Sequence, residues 1–293
     1  MQSRRSFLSL ASGAALAAAA SPLLARAADP SASVGAKAAI DGASDLASLE
    51  RASGGRLGVC LLHPQRGQVM AHRETESFPT ASTIKFLLCA AVLAKVDAGE
   101  LSLDRRIPVR AEDMRFGASV TGRHVGKDMT VRDMCRGIMV WSDNPGVALL
   151  LPFVGGEAGF EAFLRDHGDD STVPREIMDG RSTTSPGAMA RNLKRFVLED
   201  TLSTASRLQL ADWLIENRTG DARIRAGMPE GWRVGDKTGG MSGVSNDIAV
   251  LWPLAGGTPW LLSLYLKDSP LDGSQREDVL RRATQLAASR LTA

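Results

Sequence analysis

Residues 84–93, Ile84-Lys85-Phe86-Leu87-Leu88-Cys89-Ala90-Ala91-Val92-Leu93, carry one charge and no polar stripe. The run reads as a helix reaching about Lys95. A helix that is apolar nearly all round has no face to give to water, so it belongs at the centre of a fold. The remainder of the 293-residue chain has to surround it.

The cover is of two kinds. Near the start, 56–63 and 67–72 read as strands joined by the turn Pro64-Gln65-Arg66-Gly67. Near the end, 233–237, 247–253 and 260–267 read as strands as well. Between them, from about 101 to 215, helical patterns dominate: 131–141, 145–153, 157–167, 186–199 and 203–217, with a polar, irregular stretch at 168–185. Residues 28–55 read as a short linker and a helix through Leu46 and Leu49. A closing helix, 273–291, starts after Asp272-Gly273. Strands at both ends with helices between them predict an α/β fold of the α+β sandwich type. Its antiparallel sheet is built from both chain ends and flanked by helices, and an all-helical subdomain is added. The expected single domain is 28–293, with a sheet part at about 28–75 and 218–293 and a helical part at about 76–217. No internal repeat is evident.

The first 27 residues read as a leader. Arg4-Arg5 precede an Ala-rich apolar segment that ends at Ala25-Arg26-Ala27, a small-x-small cleavage pattern. The paired arginines followed by Phe7-Leu8 resemble a twin-arginine export signal, whose machinery is then a partner of the precursor. The apolar segment is short and diluted by Ala, Ser and Gly, which argues against a membrane span. The mature chain is expected in the periplasm or outside the cell, as a monomer. Three of the 35 basic residues and none of the 33 acidic ones lie in the leader, which leaves 32 and 33. A net charge near −1 gives no case for nucleic-acid binding.

Export permits disulfides. Of the three cysteines, Cys60 lies in an apolar strand and reads as inert, which leaves Cys89 and Cys135 as the candidate pair. Closing that loop is worth ~4 kcal/mol in the chain-entropy account. The four histidines (His63, His72, His124, His167) are scattered without ligand spacing, so no metal or other cofactor is implied.

Chemistry is concentrated in three short motifs. Ser82-Thr83-Ile84-Lys85 places a hydroxyl and an amine one helical turn apart, and a weak alcohol needs such a neighbour to become a nucleophile. A capping serine and a snorkelling lysine produce the same pattern, so the motif decides little alone. Ser142-Asp143-Asn144 adds a second hydroxyl and an amide on a loop. Lys237-Thr238-Gly239 ends a predicted strand, with Gly240 next. In this order, S-x-x-K, S-D-N and K-T-G resemble the signature of class A β-lactamases and penicillin-binding proteins.

The resemblance to class A serine β-lactamases extends over nearly the whole mature length, best at 82–101, around Ser142, and at 182–190, 202–217 and 219–253. It implies that Ser82 attacks a lactam carbonyl and Lys85 helps move its proton. Ser142 passes a proton to the leaving nitrogen, and Lys237 keeps the network electropositive. It implies an oxyanion hole from the backbone amides of Ser82 and Gly240, and an amide contact from Asn144. Thr238, Gly239, Lys237, Arg223 and Ser245 are candidates for holding the substrate, the first of them with Lys237 and Arg223 as a carboxylate receptor. Phe116 is placed at the entrance or in a loop anchor. The family's disulfide positions are those of Cys89 and Cys135.

One segment departs from the family. The Glu-x-x-Leu-Asn loop, whose Glu activates the water that releases the acyl group, is missing. Between Gly168-Asp169 and Thr183 the chain is roughly nine residues short, and Ser182 takes the place of a loop-closing Asp. Glu176 is the best substitute base, ahead of Asp169 and Asp179. The strand after Lys237 is also about one residue shorter. The leading function is therefore a serine β-lactam hydrolase that acts on small-molecule β-lactams and confers antibiotic resistance. A D,D-peptidase-like acyl transferase is one alternative. A periplasmic β-lactam-binding protein that acylates and stops is another.

Overall fold

A strand buried on both faces reads as an unbroken apolar run, and three strands of the main sheet do so. A computed structural model of the chain describes residues 30–291; the expected leader lies outside them. The elements run α1 (Pro30–Asp41), α2 (Leu46–Ser53), β1 (Arg56–His63), β2 (Gly67–His72), β3 (Phe78–Pro79) and α3 (Ile84–Asp97). Next come β4 (Arg106–Val109), β5 (Lys127–Thr130), α4 (Val131–Trp141), α5 (Asn144–Leu150), α6 (Gly156–Asp166), β6 (Thr183–Thr184), α7 (Pro186–Leu193) and α8 (Thr204–Ile215). The chain closes with α9 (Ile224–Gly227), β7 (Trp232–Met241), β8 (Val244–Pro253), β9 (Trp260–Lys267) and α10 (Gly273–Ala288).

The five-stranded sheet has the order β2-β1-β9-β8-β7, antiparallel throughout, so both chain ends build it as expected. Side chains alternate between its faces. Leu57, Val59, Leu61, Ala249, Leu251, Leu262 and Leu264 pack with α1, α2 and α10 in one core. Cys60, Leu62, Ile248, Val250, Leu261 and Tyr265 face a second, larger core around α3. All ten residues 84–93 are buried there. Capping side chains start the surrounding helices: Asp45 for α2, Thr130 for α4, Ser185 for α7, Ser203 for α8 and Asp272 for α10.

Four expectations change. Part of the presumed linker at 28–55 is α1, which packs beside α10. Lys237-Thr238-Gly239 sits inside β7 rather than at its end, because pairing with β8 continues to Met241↔Val244. Two small sheets, β3–β6 and β4–β5, lie inside the stretch read as helix and loop. Cys89 and Cys135 are both buried free thiols, not a disulfide. They lie on the adjoining helices α3 and α4, and the Cys89 thiol is turned toward the Cys135 carbonyl at 3.9 Å.

Candidate active site

The turn that carries Ser82 is built against local preference. Ala81 has φ 44°, a left-handed conformation that costs a non-glycine residue ~1 kcal/mol or more. Neighbours hold it in place. Thr80 N–H donates to Ser182 O (2.9 Å), and Asn246 Nδ2 donates to Pro79 O (2.8 Å) and Thr80 O (3.1 Å). Thr83 Oγ1 bonds Thr80 O (2.7 Å) and pairs with the Tyr265 hydroxyl (3.0 Å). Ser82 therefore sits in a 3₁₀ turn, Ala81–Thr83, that leads directly into α3.

A second strained serine faces it. Ser142 ends α4 with φ 59°, a place where helices commonly use glycine. The left-handed turn puts its hydroxyl between two lysines, with Lys85 Nζ at 3.1 Å and Lys237 Nζ at 3.2 Å. Lys85 also donates to Ser142 O (2.7 Å) and Asn144 Oδ1 (2.6 Å). Asp143, 1% exposed, pins this loop by accepting from Val120 N (2.7 Å), Thr121 N (3.0 Å) and Gly146 N (3.0 Å). Asn144 Nδ2 donates to Phe116 O (2.6 Å), which sets Phe116, 95% exposed, on the rim of the cavity beside Ser82.

The two lysines differ in charge. Burial, and then the charge of Lys237, lower the Lys85 pKa to about 6. Burial lowers Lys237 only to about 8, because Asp236 and Asp247 oppose it. At neutral pH Lys85 is mainly an amine and Lys237 mainly an ammonium. A neutral amine has two N–H donors and one lone pair. Its donors can go to Ser142 O and Asn144 Oδ1, which leaves a lone pair able to accept a proton. Lys237 then donates to Ser142 Oγ.

Strand β7 forms the other wall. A Cβ on Gly239 would lie 2.8 Å from Thr80 O and 3.1 Å from Ser82 N, so only glycine lets this backbone pass the Ser82 amide. Gly240, next along, lines the cavity with Ser82. Thr238 Oγ1 pairs with Thr219 Oγ1 at 2.5 Å. Arg223 Nη1 donates to Gly239 O (2.9 Å) and Asn246 O (2.8 Å), and its other edge meets Glu277 Oε1 at 3.2 Å. It thus clamps the two strands from behind as well as adding positive charge. Below lie the buried acids Asp236 and Asp247. Arg225 and Asn217 hold Asp236, each at 2.6 Å, and Ile224 N–H donates to Asp247. Burial raises both pKa values, and the neighbouring Asp236 raises Asp247 further.

Ser245 pairs with Gly240 across β7 and β8 and shares its sheet face with Thr238, and its hydroxyl accepts from Arg276 Nε at 3.2 Å, while Asn246 faces the Ser82 turn. Glu176 is not part of the cavity wall. Its left-handed backbone (φ 43°) turns the carboxylate to the surface, where it pairs with Arg181 at 3.1 Å. Asp169 is buried and caps Ser171 N, Thr172 N and Asn192 Nδ2. The sequence reading missed Asn246, Tyr265 and the Asp236–Asp247 pair. Polar residues inside an otherwise apolar strand were the signal available for them.

The cavity beside Ser82 has a volume of about 240 Å³. Its far wall is the short loop, through Ile177, Met178, Asp179 and Gly180.

Comparison with known proteins agrees with this geometry. The β-lactamase enzyme family matches residues 42–291. β-Lactamase L2 of Stenotrophomonas maltophilia is 47% identical over 98% of both chains. A crystal structure of L2 complexed with relebactam superposes with a TM-score of 0.84 at 48% identity, covering 87% of this chain and 98% of that one. An ancestral class A β-lactamase gives a TM-score of 0.80 at 46% identity, covering 84% and 98%. The chain belongs to the β-lactamase enzyme family, in its class A branch.

Proposed function

We propose that this chain is a serine β-lactam hydrolase that works through an ester on Ser82. The observation that carries the reading is the Ser142 hydroxyl held between Lys85 and Lys237, at 3.1 and 3.2 Å. Lys85 accepts the Ser82 proton as Oγ bonds to the lactam carbonyl carbon. Ser142 delivers a proton to the lactam nitrogen as the C–N bond breaks, and its own is replaced from Lys85. The amides of Ser82 and Gly240 stabilise the developing oxyanion, each worth ~3 kcal/mol. Asn144 orients the substrate's side-chain amide. Lys237, Thr238, Gly239 and Arg223 supply a basic strand edge suited to its carboxylate. The names of the relatives favour hydrolysis over the peptidase and binding-only alternatives.

The chain acts as one monomeric domain over 28–293, with a sheet part and a helical part. The twin-arginine-like leader directs it to the periplasm. No helix among the described residues is by itself long and apolar enough to span a membrane. Incubation with a penicillin followed by intact-mass measurement tests the reading. A Ser82 adduct or ring-opened product is expected. Neither appearing contradicts it.

A further inference from the structure

We propose that Asp179 is the base that releases the acyl group from Ser82. The proposal rests on the hydrolase reading above and names a residue that the family pattern does not supply. Hydrolysis needs a proton acceptor beside the ester. Water oxygen bonds to the acyl carbon while one water proton passes to the acceptor. The carbon–Oγ bond then breaks, and the proton returns to Ser82 Oγ. The products are a free carboxylic acid and restored Ser82.

The acids near this site are otherwise committed. Asp143 holds three backbone amides, Asp169 caps its own loop, and Glu176 pairs with Arg181 on the surface. Asp236 and Asp247 lie behind β7 and β8 among Asn217, Arg225 and Ile224. Among the described residues, Asp179 is the one acid in the wall of the cavity that holds Ser82, Lys85 and Asn144. No side chain or backbone group among the described residues is bonded to its carboxylate; the backbone N–H donates to Glu176 O, closing the turn Ile177–Asp179. That turn is fixed from behind, where Ile177 is buried and its N–H reaches Glu157 at 2.9 Å.

The test is a time-resolved intact-mass experiment with a penicillin on the wild type, Asp179→Asn, Asp179→Glu, Asp179→Ala and Glu176→Gln. Asp179→Asn is expected to acylate at the wild-type rate and to keep its adduct about 100-fold longer, the scale of a lost general base. Asp179→Glu recovers part of the release, and Glu176→Gln behaves as wild type. Added formate is expected to speed release from Asp179→Ala, by returning a carboxylate to the gap. Adduct lifetimes for Asp179→Asn within threefold of wild type overturn the proposal. So does a wild-type adduct that never clears, although Ser82 acylation then stands. Absence of any adduct and of hydrolysis overturns the hydrolase reading instead.

Discussion

The two walls of the cavity are fixed by different means. Ser82 stands on the turn before α3, and Lys85, Ser142 and Lys237 stand on α3, the end of α4 and the inside of β7; even the strained turns at Ala81 and Ser142 are tied by several hydrogen bonds each. The opposite wall is a short loop. Its neck is one pair, Val173↔Thr183, and its interior adds Ser182 Oγ to Arg175 O at 3.1 Å. Met178 and Asp179 are exposed there. Groups on regular elements are placed more accurately than groups on loops. Acylation is therefore the built-in half of the chemistry, and release depends on the less constrained half.

Mutation separates the halves, with the largest effect at the nucleophile. Ser82→Ala is expected to abolish the adduct and lower turnover by about 10⁶-fold, measured as ring opening. Lys85→Met and Ser142→Ala are expected to slow acylation by about 10²–10⁴-fold, read by burst kinetics. An unchanged burst in either would move the proton path away from Ser142.

The pH profile of acylation comes next. Below about 6 Lys85 gains a proton and loses the lone pair that accepts one, so the rate falls on the acid side. Above about 8 Lys237 loses its charge, so the rate falls on the alkaline side. Each limb is about tenfold per pH unit. Lys237→Arg stays charged and is expected to remove the alkaline limb. A profile flat from 5 to 9 would contradict the charge assignment.

Smaller effects concern stability. Gly239→Ala forces a methyl against the Thr80 carbonyl and is expected to cost about 1–3 kcal/mol in thermal or denaturant unfolding. Breaking the exposed Glu176–Arg181 pair is expected to cost less than about 1 kcal/mol.

Sequence patterns revealed most of the first wall and little of the second. β9 and α4 were readable to the residue, because long apolar runs bounded by turns leave little freedom. The serine and lysine motifs lay at the start of α3, the end of α4 and on β7, so their convergence followed from the fold. β3 and β6 escaped because strands of two residues have no periodicity. The pairing of Ser245 with Gly240 was not legible, because it depends on the register of β7 and β8. In the short loop, Glu176 lies outside the cavity wall and Asp179 within it, and composition says nothing about that.

The account is tested most directly by altering only the loop. A variant combining Glu176→Gln, Asp179→Asn and Arg181→Gln keeps Ile177 and the neck pair. Its rates of Ser82 acylation and release can be measured separately by quenched-flow mass spectrometry. The expected result is acylation within about threefold of wild type and release slowed by about 100-fold. A parallel loss of both rates would contradict the division between a preorganised acylating wall and a loop that governs release.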